Sequence, residues 1–107
     1  VLYLYNESNG EVEMNVAQTI LDQIRGMDKW ALGAWGAKDL VETSNGGLRF
    51  KTSGMVKWKG FVSIELNASD LYDVKFQRVR KHEAITDKEV NGVYFDQLVE
   101  VIDRKVG

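Results

Sequence analysis

Hydrophobic residues recur with two different periods along the chain, and each period predicts a different element. Near the start, Val16, Ile20 and Ile24 follow one another at i+4 spacing, which places them on one face of a helix. Asn15 is a suitable N-cap just before this run, and Gly26 is a natural stop just after it. We therefore predict an amphipathic helix between these two residues.

From residue 28 to residue 81 the period falls to two, which is typical of strands with one buried face. The sequence SNGG at 44–47 predicts a tight hairpin, because Asn-Gly supplies the positive φ values that such turns need. A change of parity at Val79 predicts a bulge near Gln77. The predicted strands cover 28–35, 39–43, 48–52, 61–67, 71–80 and 82–90, and the segment 55–60 is either a strand or a loop.

Each end of the chain adds one element. The apolar run VLYLY and the turn-forming cluster after it predict a β-prone extension over residues 1–13. At the other end, residues 91–106 predict a second helix, with Phe95, Leu98 and Ile102 on a broad apolar face.

Two amphipathic helices need an apolar surface to cover, and a sheet with one apolar face supplies it. We therefore predict a single α+β domain over residues 1–107. Its order is an N-terminal helix, an antiparallel meander of five or six strands and a C-terminal helix. Both helices cover one face of the sheet, and the other face is open or used for association.

Composition excludes several classes of function. The chain has no cysteine, so it has no disulfide, no thiolate zinc site and no thiol nucleophile. Its net charge of −2 disfavours a general nucleic-acid binder, which usually has a basic excess. The sequence contains neither an apolar run of the ~20 residues that span a membrane nor a secretory signal pattern. We expect a cytoplasmic protein that does not contact membranes.

The charges are unevenly distributed. Residues 25–60 carry seven Lys and Arg against three Asp and Glu, and the segment KFQRVRK at 75–81 carries four positive residues and no negative one. Both ends of the chain are acidic. This distribution predicts a charged face, although a solvated strand surface gives the same pattern.

Basic and aromatic residues with outward parity form the main candidate site. By the alternation in 28–35, Trp30 shares its side with Leu32 and belongs to the core, whereas Trp35 faces outward. Such a surface can bind a protein partner or stack nucleic-acid bases, and in the simplest case a second subunit or the loop 52–60 covers it. The candidate binding residues are Trp35, Arg49, Lys51, Lys57, Trp58, Lys59 and Phe61.

Residues with catalytic potential form no recognisable constellation. His82 is the only histidine, and a surface position at a strand end is the simplest role for it. Asp70 and Asp73 are typical turn residues. We therefore predict no catalytic site, no metal and no cofactor. The last helix carries an acidic ridge of Asp96, Glu100 and Asp103, which is either a solvated face or a mimic of phosphate spacing.

The segments WGAK, LYDVKFQRVR and NGVYFDQL together resemble a group of short uncharacterised proteins from bacteriophages, prophages and other mobile elements. The resemblance covers the chain from Ile20 to its end. This chain departs from the commonest pattern of the group, in which Met-Thr occupies the place of Ala34-Trp35. The resemblance implies an accessory protein of a phage or mobile element in a bacterial cytoplasm, and it implies no catalytic residues.

Three hypotheses of function follow. The first is a non-enzymatic accessory protein that binds a host or phage protein, or a second copy of itself, through the open sheet face. The alternative is a single-stranded nucleic-acid binder that uses the same residues. The third is a small hydrolase that uses Asp70, Asp73 and His82, which requires these side chains to lie within hydrogen-bonding or single-water reach.

Overall fold

The computed structural model describes residues 3–6, 10–13, 16–43, 46–53 and 56–107, and it describes side chains from Val16 onward within these ranges. Its helices are α1 (Val16–Met27), α2 (Ala31–Trp35) and α3 (Leu98–Val106), with a 3₁₀ turn at Phe95–Gln97 before α3. Its strands are β1 (Tyr3–Asn6), β2 (Gly10–Glu13), β3 (Lys38–Thr43), β4 (Gly47–Lys51), β5 (Phe61–Leu66), β6 (Tyr72–Arg80) and β7 (Glu83–Val93).

Strands β3 to β7 form one antiparallel sheet in which each strand pairs with the next along the chain. Strands β1 and β2 pair with each other in a separate two-stranded sheet. Within the predicted extension at residues 1–13, the described segments Tyr3–Asn6 and Gly10–Glu13 are therefore paired strands, and the N-cap prediction for Asn15 lies outside the described residues. The predicted α+β class, with its five-stranded meander between helices, is confirmed.

One face of the five-stranded sheet forms the core. The paired positions along β4, β5 and β6 alternate between buried apolar residues and polar ones, as expected for a sheet that is covered on one side. The buried residues on this face are Leu48, Phe50, Val62, Ile64, Tyr72, Val74 and Phe76.

Helices α1 and α3 cover this face with side chains one helical turn apart. In α1 the buried residues are Ala17, Ile20 and Ile24, and in α3 they are Leu98, Ile102 and Val106. These residues join those of the sheet in one hydrophobic cluster. Both helices therefore lie on the same face of the sheet, as the sequence predicts. Helix α1 continues through the predicted stop at Gly26 to Met27.

The predicted strand over residues 28–35 is wrong, because most of this segment is helix α2. The side chain of Asp28 accepts a hydrogen bond from the Trp30 backbone N–H at 2.9 Å, which caps the turn. Gly36 ends the helix in the left-handed conformation, with a φ of 62°. On a helix Ala31 and Trp35 share one face, and both are buried, whereas Trp30 is 72% exposed.

The C-terminal helix begins at Leu98, seven residues after the start predicted at residue 91. Strand β7 continues to Val93, which pairs with Tyr72 and is buried, and Gly92 has a positive φ of 69° at a register shift. Tyr94 is extended, and Phe95 is 54% exposed in the 3₁₀ turn rather than in the apolar face of a helix. Register with β6 therefore overrides the helical pattern of residues 91–97.

The β6–β7 hairpin extends beyond its neighbour in the sheet. Strand β5 pairs with β6 only as far as Gln77, and beyond this point β6 and β7 form a free ribbon. The ladder has a bulge opposite Gln77, but its extra residue is Asp87 on β7 and not a residue of the predicted strand 71–80, so Val79 stays exposed. The ribbon ends in a two-residue turn in which Lys81 and His82 both have positive φ.

Candidate interaction face

The side of the five-stranded sheet away from the helices is its open face. Residues paired across antiparallel strands point to the same side, so the register identifies the members of this face. Within the described residues no helix or loop covers it. Its main residues are Lys38, Val41, Arg49, Lys51, Phe61, Ser63, Glu65, Asp73, Lys75, Gln77 and Glu89.

A cleft of about 290 Å³ lies at one end of the open face. Phe61 forms an aromatic wall beside Val79, a valine that is 56% exposed. Among the described residues neither Lys51 nor Lys59 has an ion-pair partner. The cleft therefore combines free cations with exposed apolar surface. Its lining residues are Lys51, Lys59, Gly60, Phe61, Arg78 and Val79.

Buried Thr52 fixes the backbone beneath this cleft. Its backbone N–H donates to the Gly60 carbonyl at 2.8 Å, and its hydroxyl accepts from the Gly60 N–H at 3.0 Å. Since Gly60 directly precedes β5, these bonds set the position from which Phe61 enters the sheet. The cleft consequently lies on a rigid element of the fold.

Arg49 lies over Phe61, with its guanidinium carbon 4.3 Å from the ring centroid. This distance is that of a cation–π contact. The buried Nε of Arg49 has no hydrogen-bond acceptor within the described residues. Arg49 therefore holds a cation above the ring and keeps an unused donor there.

Trp35 does not belong to the open face, and its predicted outward orientation is wrong. Its side chain is 1% exposed and lies parallel to Phe50, with ring centroids 6.1 Å apart. The indole N–H donates to Asp103 of α3 at 3.1 Å, so the ring joins α2, α3 and the sheet. The exposed tryptophan of this segment is Trp30, which the alternation assigned to the core. Both errors have one cause, the helical period of residues 31–35.

Trp58 and Lys57 lie on the helix side of the sheet. The Trp58 ring meets buried Phe76 edge to face, with centroids 5.7 Å apart. The backbone N–H of Lys57 donates to the Val106 carbonyl of α3 at 3.0 Å. Of the seven predicted binding residues, the open face and its cleft bring together Arg49, Lys51, Lys59 and Phe61.

Asp87 connects Trp58 to the cleft. It accepts a hydrogen bond from the Trp58 indole N–H at 2.9 Å and forms an ion pair with Arg78 at 2.6 Å. The Trp58 hydrogen bond, followed by that of Arg78, holds the pKa of Asp87 below its ordinary value, and partial burial opposes this effect. An ionised Asp87 thus ties the loop on the helix side to the base of the ribbon.

The residues of the hydrolase hypothesis do not form a site. His82 lies in the exposed turn of the ribbon, beyond Arg80, which is seven residues along β6 from Asp73, or about 23 Å at strand spacing. Asp73 accepts hydrogen bonds from Asn67 and from the Gly92 backbone, each at 3.1 Å. Asp70 occupies a turn with a φ of 61°. Within the described residues there is no group of three or more metal-ligating side chains.

The acidic ridge of α3 is partly occupied by contacts within the chain. Glu100 pairs with Arg104 at 2.6 Å, one helical turn away, and Asp103 accepts the Trp35 indole. Of the three predicted members, Asp96 alone has no such contact among the described residues. The ridge therefore offers fewer free carboxylates than the sequence predicts.

Sequence reasoning overlooked the acidic half of the open face. Glu65 and Asp73 pair with each other across β5 and β6, two positions away from the pair of Ser63 and Lys75. The signal was present, because Glu65 has the same parity as Phe61 along its strand. Only the register between strands, however, places Asp73 beside it.

Comparison of the chain with family models, with curated proteins and with solved structures finds no match. Among the helices of the described residues, none has both the length and the apolar character needed to cross a membrane.

Proposed function

We propose that the protein is a non-enzymatic interaction module that binds another protein surface through its open sheet face. The observation that carries the proposal is the cleft, where Lys51 and Lys59 flank Phe61 and exposed Val79. Protein interfaces favour aromatic and arginine anchors in partly desolvated positions with a polar rim. Arg49 on Phe61 is such an anchor, and its positive charge favours an acidic group on the partner.

The position of the rings favours a protein partner over single-stranded nucleic acid. Base stacking requires free aromatic faces, and the nucleic-acid hypothesis depends on Trp35, Trp58 and Phe61 together. Trp35 and Trp58 pack toward the core, and the guanidinium of Arg49 covers one side of Phe61. A nucleic acid would therefore find cations on this face but only one side of a single ring, Phe61, among the described residues on which to stack.

The proposed setting depends on the sequence motifs alone. We propose an accessory role in a phage or mobile element and a location in the bacterial cytoplasm, on the basis of the WGAK, LYDVKFQRVR and NGVYFDQL segments.

The test uses charge reversal within the cleft. The tagged wild type and the Lys51→Glu/Lys59→Glu variant are immobilised, and binding is measured for bacterial lysate proteins, for the untagged protein itself and for an oligo-dT strand. We expect at least one protein to bind the wild type and to be lost from the variant. The oligo-dT strand is expected to bind neither.

A matched control carries the same change in charge elsewhere. Lys29→Glu/Lys88→Glu alters two exposed lysines that do not belong to the open face. This control should retain every protein that the wild type binds. Equal binding by wild type and cleft variant would refute the proposal, and salt-sensitive binding of oligo-dT alone would replace it with the nucleic-acid alternative.

A further inference from the structure

The geometry points to a second copy of this chain as the occupant of the open face, in a two-fold dimer whose sheets face each other with antiparallel strands. This inference rests on the proposed function and names the partner. The evidence is an arrangement of charge that is complementary to itself once the strand direction is reversed. The register of the five strands places these charges.

Charge on the open face changes sign along the strands. The row of paired residues at the cleft end contains Lys38, Lys51, Phe61 and Gln77, and it has two cations and no anion. The row two paired positions beyond the centre contains Thr43, Gly47, Glu65 and Asp73, and it has two anions and no cation. One end of the face is therefore positive and the other negative.

The central row of the face contains Arg49, Ser63 and Lys75. A two-fold axis that runs across the strands at this row places the positive end of one copy opposite the negative end of the other. Each strand then faces the same strand of the second copy in the opposite direction, so Phe61 faces Glu65 of the second copy. The guanidinium of Arg49 lies over Phe61, 4.3 Å from the ring centroid. Its positive charge is thus placed beside the ring that the carboxylate of Glu65 from the second copy faces.

The neighbouring positions fit the same operation. Lys51 faces Gly47 of the second copy, beside which the side chain of Glu65 lies, and Gln77 faces Asp73 of the second copy. Each of these contacts occurs twice because the interface is isologous. Glu65 has no ion-pair partner among the described residues of its own chain.

The cations of the central row are already engaged within one copy. Ser63, at the middle of the row, is buried beneath its neighbours, and Lys75 is paired with Glu89 at 3.7 Å on the adjacent strand. Arg49 leans out of this row toward Phe61. Of the two cations in this row, Lys75 is therefore paired and Arg49 is displaced before the copies meet.

The size of the face predicts a weak dimer. Five strands about 4.8 Å apart and five residues along each strand give a footprint of roughly 400 Å² per copy. A stable interface of standard size buries about 800 Å² per partner. The association should therefore be reversible, and it should weaken as salt shortens the Debye length from about 10 Å at 0.1 M to about 3 Å at 1 M.

The decisive experiment is a charge swap measured by sedimentation equilibrium over a range of concentrations. Arg49→Glu and Glu65→Arg each place like charges opposite one another twice, so each variant alone should dimerise about thirtyfold more weakly than the wild type. When the two variants are mixed, both contacts again join opposite charges. The mixture should therefore form a heterodimer with nearly the affinity of the wild type.

Two controls separate misfolding from loss of contact. Circular dichroism and thermal melting should show that both variants remain folded, and Lys88→Glu should leave dimerisation unchanged. A mixture that stays monomeric, or single variants that dimerise like the wild type, would overturn the inference.

The proposed function can fail or survive independently of the dimer. A wild type that is monomeric at every concentration, but captures another protein in a manner that depends on Lys51 and Lys59, refutes the dimer and keeps the interaction module. If the charge-reversal variants show the same self-association and the same capture of other proteins as the wild type, the dimer and the interaction module are both refuted.

Discussion

The two faces of the five-stranded sheet have the same backbone and opposite chemistry. The covered face is apolar and tightly packed, and the stacked pair of Trp35 and Phe50 lies near its centre. The open face is polar, its sign of charge changes along the strands, and the ring of Phe61 on it carries a cation. Alternation along each strand separates a surface that stabilises the fold from one that remains available for binding.

The largest expected effect comes from a pair of phenylalanines on adjacent strands. Phe50 is fully buried on the covered face, so Phe50→Ala should lower the free energy of unfolding by about 3–5 kcal/mol. Phe61→Ala on the open face should cost only about 1 kcal/mol, because its ring is partly exposed. Urea denaturation measures both changes, and similar costs at the two positions would contradict the distinction between the faces.

The next effect concerns the attachment of α2 to the covered face. A Cβ at Gly36 would lie 2.2 Å from the Ser53 carbonyl oxygen, and the backbone there has a φ of +62°. Gly36→Ala should therefore destabilise the protein by about 2 kcal/mol or more. The cause is a clash with backbone rather than with a mobile side chain.

Gly33 provides the matched control for this substitution. It lies within α2, and a Cβ there meets no atom within 4 Å. Gly33→Ala should stabilise the protein by about 0.5–1 kcal/mol, because alanine favours the helix. Opposite shifts in melting temperature are expected, and a stabilising Gly36→Ala would contradict the close approach of Gly36 to Ser53.

The smallest expected effect lies at the boundary between the two faces. Since hydrogen bonds from Trp58 and Arg78 lower the pKa of Asp87, the folded state favours its ionised form. The stabilisation from this preference is present above the ordinary pKa of 3.8 and is lost as the pH falls through the lower pKa of the folded state.

Asp87→Asn should therefore be less stable than the wild type at neutral pH, and the two curves should converge at acid pH. Thermal melting as a function of pH measures this difference. Trp58→Phe removes the indole donor to Asp87. This variant should therefore also lose less stability than the wild type as the pH falls. A constant difference between wild type and Asp87→Asn at all pH values would show that the carboxylate charge has no part in the contact.

Much of the fold was predictable because it depends on local periodicity. The i+4 spacing of Val16, Ile20 and Ile24 predicted α1, and alternation predicted four of the five strands of the main sheet with nearly correct bounds. The outward parity of Arg49, Lys51 and Phe61 is also correct. In each case one element presents its apolar residues to one side, and burial of that side decides the structure.

The prediction failed where a short pattern fitted both periods. In WALGAW the alternating pattern and the i+4 pair of Ala31 and Trp35 were both present. The segment is a helix, which follows a turn at Asp28 and ends at Gly36. Residues 91–97 have a helical pattern, yet pairing of Val93 with Tyr72 keeps the first part in the sheet. Hydrogen bonds between strands outweigh propensity there.

The sequence by itself determined which residues are apolar, where the period changes, and on which side of its strand each cation lies. Only the tertiary structure decided which strands adjoin, because register depends on contacts between distant segments. Register places Asp73 beside Glu65, and α3 gives Trp35 its partner Asp103. The charge reversal along the open face is a property of several strands together, so no single stretch of sequence contains it.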